Sequence, residues 1–359
     1  MYPFRNDKVW LQNAWYVAVM AEEVADKPLQ RTILGRPVVL FRGESGKVHA
    51  MHGLCPHRNY PLGLHGKVIG EAIQCNYHGF VFDGASGQTV STPSASDAPK
   101  SFCQKTYRVE ERGPWIWIWM GDKALADDAQ IPSLEALKLD ERYTISPMMD
   151  YMHVDARYML LIENLMDLTH IGFLHSMTAA FAEIVNADID IVEDDKGMRI
   201  RRTMEAKWSL YHDAVFGPEL RFDGAARSDN EAIVAAVGYC LNTSQTLREI
   251  DGRPVGPEFA GEIWFHHVCT PETTNSFHYF GTQSRTIKRD DPDLGMHLRE
   301  ADARVRAEDI EAMEAIERQL AQFGEPEVEL LVKSDVPAGR LRRRIQRALD
   351  REAGALERT

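Results

Sequence analysis

Short runs of β-branched and aromatic residues, set between glycine-bearing turns, dominate the first 120 positions. Trp15-Tyr16-Val17-Ala18-Val19, Pro37-Val38-Val39-Leu40-Phe41 and Trp115 to Trp119 each read as a strand. Gly35, Gly43, Gly46, Gly53, Gly63, Gly66, Gly70, Gly84 and Gly87 punctuate them, which predicts a small sandwich or barrel. Trp115 to Trp119 is apolar on both faces, so it is expected to be a core strand. A polar stretch beginning at 121 places a domain boundary near 124 and divides the chain into 1–124 and 125–359. The pattern then changes. Arg157 to Gly172 reads as helix, and 184–290 alternates strands with turns. Glu262 to Cys269 and Ser276 to Gln283 form a strand pair. From Leu298 to Phe323 the apolar positions Val305, Ile310, Met313, Ile316 and Leu320 recur with helical spacing, and Gly324 and Pro326 end the run. An Arg-rich amphipathic helix is expected over 340–351. A β-rich first half and a mixed second half make the chain α+β.

Composition narrows the class. At 359 residues the chain fits about two domains of roughly 150 residues each. Hydrophobic residues at 44% and charged residues at 26% are those of a globular chain and not of a disordered one. Asp and Glu number 54 against 41 Lys and Arg, a net charge of -13 that repels nucleic acid. Apolar runs such as Ala14 to Ala21 fall short of the roughly 20 residues a membrane helix needs, and no secretion signal is visible. An odd count of five Cys then points to the reducing cytoplasm, with Cys serving as metal ligand or core filler. Cys103, Cys240 and Cys269 are expected to be buried.

Two groups of residues carry chemistry. The first is Cys55-Pro56-His57, then Cys75-Asn76-Tyr77-His78 after a gap of 17 residues. A zinc finger orders its ligands Cys, Cys, His, His. Here each loop offers one of each, which suits a two-iron cluster with both Cys on one iron and both His on the other. Glycines and prolines (Gly53, Pro56, Gly79, Gly84) shape loops that present N–H groups to sulfur. A zinc site, or unrelated core Cys and surface His, is the bland alternative. The second group is Asn164, Asp167, His170 and His175. Spacing of three puts the first three on one drifting helical stripe. Two His and a carboxylate make the ligand set of an open ferrous site. Asp167 is better placed to hydrogen-bond the non-ligating nitrogen of His170. The acidic helix offers Glu308, Asp309, Glu311, Glu314 and Glu317 as the third ligand, and spacing does not choose among them.

Together, C-x-H-x17-C-x2-H and N-x2-D-x2-H-x4-H resemble the Rieske non-haem iron oxygenases over nearly the whole chain. Asn13 to Ala18, Thr270 to Thr274 followed by His278-Tyr279-Phe280, and Asp335 through Arg347 look like the branch of vanillate O-demethylase oxygenase components and dicamba monooxygenase. Phe80 departs from the Trp or Leu of many members, with a small packing effect expected. The resemblance implies an N-terminal all-β Rieske domain and a C-terminal antiparallel-sheet, helix-grip (Bet v1/START-like) catalytic domain. It implies that Cys55, His57, Cys75 and His78 bind a [2Fe-2S] cluster and that His170, His175 and an Asp bind mononuclear Fe(II). The family's E-D-x4-E-A pattern maps to Glu308-Asp309 and Glu314-Ala315, which selects Asp309. Asp167 would link His170 to the His78 of a neighbouring subunit, making a homotrimer part of the mechanism. Electrons would come from NAD(P)H through a separate flavin/iron-sulfur reductase, because no G-x-G-x-x-G opens a βαβ unit here. O2 would be the co-substrate and a small aromatic acid the substrate, O-demethylated with release of formaldehyde. Ring hydroxylation, dihydroxylation and N-demethylation are the alternatives. Pocket walls are expected from Ile233, Val237, Trp264, His266, His267, Phe280 and Gln283. His266 and His267 must point to opposite faces of a strand, so at most one lines the pocket. His212 and Arg221 are weaker candidates for binding an acid group.

Overall fold

The aromatic runs of the N-terminal region pair into two antiparallel sheets. Its elements are β1 (Trp15–Met20), β2 (Leu29–Ile33), β3 (Arg36–Arg42), β4 (Val48–His52), α1 (Leu62–His65), β5 (Lys67–Ile69), β6 (Ala72–Gln74), β7 (Val81–Asp83), β8 (Thr89–Ser91), β9 (Thr106–Arg112) and β10 (Trp115–Trp119). The larger sheet has the order β1-β10-β9-β4-β3-β2, and β5 to β8 form a meander. The computed structural model describes residues 3–4, 9–93, 102–146, 150–176, 182–194, 197–224, 226–243 and 245–356. By contacts the chain forms two units. One is Trp10–Ile131 with Thr270–Thr274; the other is Met1–Val9, Pro132–Cys269 and Asn275–Thr359. β10 lies between β1 and β9, and all five of its residues are buried, as its two apolar faces require. In the same unit Leu34 N–H and Gly35 N–H donate to the carbonyls of Pro271 and Glu272.

The second unit contains β11 (Thr144–Ile145), β12 (Asp150–Val154), α2 (Tyr158–Met166), β13 (Asp188–Glu193), β14 (Met198–Ala206), α3 (Leu210–Phe216), β15 (Ala226–Ala236), β16 (Tyr239–Thr243), β17 (Thr246–Ile250), β18 (Arg253–Pro254), β19 (Ile263–Thr273), β20 (Ser276–Arg285), α4 (Pro292–Phe323) and α5 (Val336–Leu356). The antiparallel sheet runs β11-β20-β19-β16-β15-β14-β13, with β12 added on β20 and β17-β18 on β15. β14 alternates strictly: Met198, Ile200, Arg202, Met204 and Ala206 are buried while Arg199, Arg201 and Glu205 face out. Ala206, Leu247 and Ile263 of the sheet pack with Leu294 and Leu298 of α4, so the inward face is the one turned to α4. The architecture is the expected α+β one, with an all-β first part and a long helix against an antiparallel sheet in the second.

Four expectations change. The helix expected to run through Gly172 stops at Met166; Asp167 takes φ -119°, ψ 95°, and a 3-10 turn follows over Leu168–Gly172. The Asp167 side chain accepts from Thr169 N–H at 3.0 Å, because Asp competes for backbone donors and favours a cap over a helix interior. α4 starts at Pro292 behind an Asp291 cap, earlier than the apolar spacing suggested. Its buried stripe is only partly the apolar one: Met313 is buried as expected, but Ile316 is 46% exposed, and Asp302, Arg306, Asp309 and Glu317 are buried. Arg306, with no exposed surface, meets Asp150 at 2.7 Å and Asp302 at 2.9 Å, and Asp150 also meets Arg299 at 2.6 Å. Cys240 and Cys269 are buried as expected; Cys103 is exposed. Among the described residues no helix is long and apolar enough to cross a membrane.

Candidate metal centres

The two Cys-His loops fold as copies of one turn. Cys55 N–H donates to the Tyr60 carbonyl, and Asn59 N–H returns to the Cys55 carbonyl; Cys75 N–H donates to Phe80, and Gly79 N–H returns to Cys75. The fifth residue of each loop is left-handed, Asn59 at φ 53° and Gly79 at φ 78°, the two residue types that tolerate it. The turns bring the His57 and His78 rings to 4.5 Å and the two thiols into hydrogen-bond contact. Burial pushes the Cys55 thiol up to about 11, against the pull of the His57 N–H, so a metal's charge is what would hold the thiolate. Phe80 stacks on His57 at 5.1 Å, more than the small packing role expected of it. Gln104 braces the approach to the first loop, its amide donating to the carbonyls of His52 and Leu54 at 2.8 and 2.7 Å. Two thiols and two imidazoles from paired loops fit a two-iron cluster.

In the second unit α2, the 3-10 turn and α4 bring His170, His175 and Asp309 together, their donor atoms all within 4.8 Å of one another. His175 Nε2 lies 3.0 Å and His170 Nε2 3.5 Å from Asp309 Oδ1. The outer nitrogens are both engaged. His170 Nδ1 donates to the Asp167 carbonyl at 2.7 Å, and His175 Nδ1 to Glu308 at 2.6 Å. Those bonds fix both rings with Nε2 toward Asp309, leaving two imidazoles and one carboxylate converging, as a ferrous site requires. Asn164 Nδ2 donates to Asp309 Oδ1 at 2.9 Å, and its own Oδ1 is buried without a partner. Glu308 enters as the residue orienting His175; its place beside Asp309 in sequence was the available signal. The Asp167 carboxylate makes no hydrogen bond to His170, contrary to expectation. The main-chain carbonyl does, and the side chain turns instead to Thr169 N–H and Ser334.

Burial holds His170 neutral, below the usual 6.5. Burial also pulls His175 down, but the Asp309 and Glu308 carboxylates outweigh it and raise the group above 6.5. A proton and a ferrous ion then compete for His175. Iron-depleted protein is expected to bind ferrous ion progressively more weakly as pH falls, the loss beginning above 6.5. Iron titration at several pH values checks this; affinity flat across the neutral range would contradict it.

Of the residues expected to line a pocket, His267 and Gln283 lie on the inward face. His267 Nδ1 meets the Tyr279 hydroxyl at 2.6 Å and Gln283 donates to Asp302 at 2.9 Å. Ile233, Trp264, His266 and Phe280 lie on the opposite face, and Val237 sits in the turn between β15 and β16. Both faces of β19 and β20 are buried over these positions, so alternation alone does not tell which is inner. His266 is instead held between Tyr239 and Ser284. His212 is buried against Trp208 and Phe216, its pKa pulled down to about 4 by burial, and Arg221 is exposed. The inward face also carries polar atoms that sequence pattern did not mark: Ser228 Oγ, Asn230 Oδ1, Asn242 Oδ1, Arg202 Nη1 and Arg306 Nε are buried without partners.

A β-domain with paired Cys-His turns, followed by a sheet-and-helix domain with a two-His, one-carboxylate cluster, defines an oxygenase class. Residues 14–108 match the Rieske [2Fe-2S] domain, and residues 154–351 match the vanillate O-demethylase oxygenase C-terminal domain. The chain belongs to the Rieske non-haem iron oxygenases with that catalytic domain, enzymes carrying a [2Fe-2S] cluster and a mononuclear iron. It is 37% identical over 319 residues to the oxygenase component of dicamba O-demethylase from Stenotrophomonas maltophilia, covering 87% of this chain and 89% of that one. It is 33% identical to the oxygenase component of chloroacetanilide N-alkylformylase from Rhizorhabdus wittichii, covering 87% of each. The solved structure of dicamba monooxygenase bound to dicamba superposes with a TM-score of 0.84 at 33% identity, covering 97% of this chain and all of that one.

Proposed function

We propose that this oxygenase component O-demethylates a methoxylated aromatic acid of the vanillate type, releasing formaldehyde and leaving a phenol. The observation that carries the reading is the His170–His175–Asp309 convergence in a chain whose catalytic domain matches that of vanillate O-demethylase. Cys55, His57, Cys75 and His78 hold the cluster; His170, His175 and Asp309 hold the iron. Bound there, the ferrous ion supplies oxygen activation. The chain's own residues do the rest. Asp167 carbonyl and Glu308 orient the two imidazoles, and Asn164 orients Asp309. His267 and the partnerless polar atoms of the inward face offer hydrogen bonds to the acid and hydroxyl groups of such a ring.

Electrons come from NAD(P)H through a separate flavin/iron-sulfur reductase, in the cytoplasm. In a homotrimer, a neighbour's His78 would hold the cluster that supplies the electrons, and Asp167 would stand between it and the residues that would hold the iron. The Asp167→Asn variant is expected to keep both metals yet reoxidise its reduced cluster about tenfold or more slowly, losing a charge-assisted contact. Stopped-flow absorbance checks this, and a wild-type rate would remove Asp167 from the route.

The deciding experiment is a single turnover. Chemically pre-reduced protein meets oxygen and a panel of methoxylated benzoates, with formaldehyde and phenol assayed. Stoichiometric formaldehyde is expected. A hydroxylated ring without formaldehyde would replace demethylation with ring hydroxylation. N-dealkylation is the second reading, favoured by the 33% identity to an N-alkylformylase component, and N-alkyl anilides in the same panel test it.

A further inference from the structure

The carboxylate of Asp167 is held by a residue far away in sequence. After α4, a 3-10 turn over Lys333–Asp335 carries Ser334, whose hydroxyl donates to Asp167 Oδ2 at 2.9 Å. That turn is tied at its start, where Val332 N–H donates to Asp335 Oδ2 at 2.7 Å. Behind it, Arg342 on α5 pairs with Glu163, one helical turn before Asp167 on α2, and with Glu329. The C-terminal segment thus grips two carboxylates at the end of α2. A second donor stands close by. Arg202 is buried on the inward face, donates Nη2 to the Met166 carbonyl at 2.5 Å, leaves Nη1 without a partner, and feels the charge of Asp167. The carboxylate therefore has two places to go. On Ser334 it is held by a hydroxyl; turned to Arg202, which binds the carbonyl of the preceding residue, it would form an ion pair, favourable for a donor that is otherwise unsatisfied.

We propose that Ser334 is a positioning residue for electron transfer: its hydroxyl holds the Asp167 carboxylate in the orientation seen here and keeps it from turning onto Arg202. The inference rests on the reading of Asp167 as the inter-subunit contact. Thr169 N–H fixes one oxygen and Ser334 the other, so the anion's direction is set before a neighbouring subunit's histidine meets it. A contact formed only after a rotamer change is reduced by the fraction of time the correct rotamer is present.

Ser334→Ala in the fully loaded enzyme is expected to slow substrate-dependent cluster reoxidation about tenfold, the scale of one hydrogen bond to a charged group. Iron content and cluster spectrum stay unchanged. Ser334→Thr, which keeps the hydroxyl, restores the rate. Adding Ser334→Ala to Asp167→Asn costs nothing further, because the two act on one contact. A crystal structure of Ser334→Ala, whatever its metal content, shows the carboxylate on Arg202 Nη1. Wild-type reoxidation in Ser334→Ala, alongside a slow Asp167→Asn, would overturn the role of Ser334 alone. Wild-type rates in both would overturn the reading of Asp167 on which it rests. A slow Ser334→Ala whose carboxylate keeps its rotamer, or that Thr fails to rescue, would also overturn the proposal.

Discussion

Asp309→Ala is expected to leave the Rieske absorption intact while abolishing turnover. Asp309 Oδ1 is the point on which both ring nitrogens and the Asn164 amide converge. Removing it leaves two imidazoles with no carboxylate to complete the site. Changes to residues that only orient a ligand cost about 10- to 100-fold in metal affinity or activity, so loss of the ligand itself should exceed a hundredfold. Iron analysis should fall from about three per chain to about two, the cluster remaining. Glu308→Gln serves as the graded control: it weakens the hold on His175 Nδ1 and should fall within the smaller range. If Asp309→Ala keeps its third iron and its turnover, the ligand is one of the other carboxylates of α4.

Arg306→Met should cost about 3–5 kcal/mol of stability, the scale of breaking a buried ion pair from one side. The guanidinium has no exposed surface, and its loss strands Asp302 in the interior and leaves Asp150 to Arg299 alone. Burial works against the charge on Arg306, but Asp302 and Asp150 outweigh it and keep the group cationic. The cluster also ties α4 to β12 and β20, because Gln283 donates to Asp302. Denaturant unfolding of the variant measures the loss. Combining Arg306→Met with Asp302→Asn should recover part of it, since the stranded charge and not the missing packing dominates. A change under about 0.5 kcal/mol would mean that the network contributes nothing net.

Much of the site is legible along the chain, for a local reason. A Cys and a His two or three residues apart, framed by Gly and Pro, can form a ligand-bearing turn wherever the turn is placed. The spacing that marks His170 and His175 is likewise short-range. The helix break is also a local event, but the period of three through Asn164, Asp167 and His170 concealed it. Asp167 is a better cap than helix-interior residue, and capping sent its carbonyl, not its carboxylate, to His170.

Which face of a strand turns inward was not legible. Trp264 and His266 sit among apolar neighbours on a strand buried on both sides, and a period of two names two faces without naming the inner one. The α4 stripe held at Met313 and missed elsewhere for the converse reason. Apolar periodicity predicts the buried side only where the interior is apolar, and here the buried side carries Asp302, Arg306, Asp309 and Glu317.

The class of chemistry and the α+β order could be read along the chain, because the Cys-His turns, the His170–His175 spacing and the strand and helix patterns are all short-range. The E-D-x4-E-A resemblance singles out Asp309, and the fold brings it to His170 and His175; that Glu308 orients one ring and that Ser334 rather than His170 holds the Asp167 carboxylate came from the packing alone. Those partners lie more than 130 positions apart in the chain, and their meeting depends on how α4 and the C-terminal segment pack against α2, which no local spacing encodes.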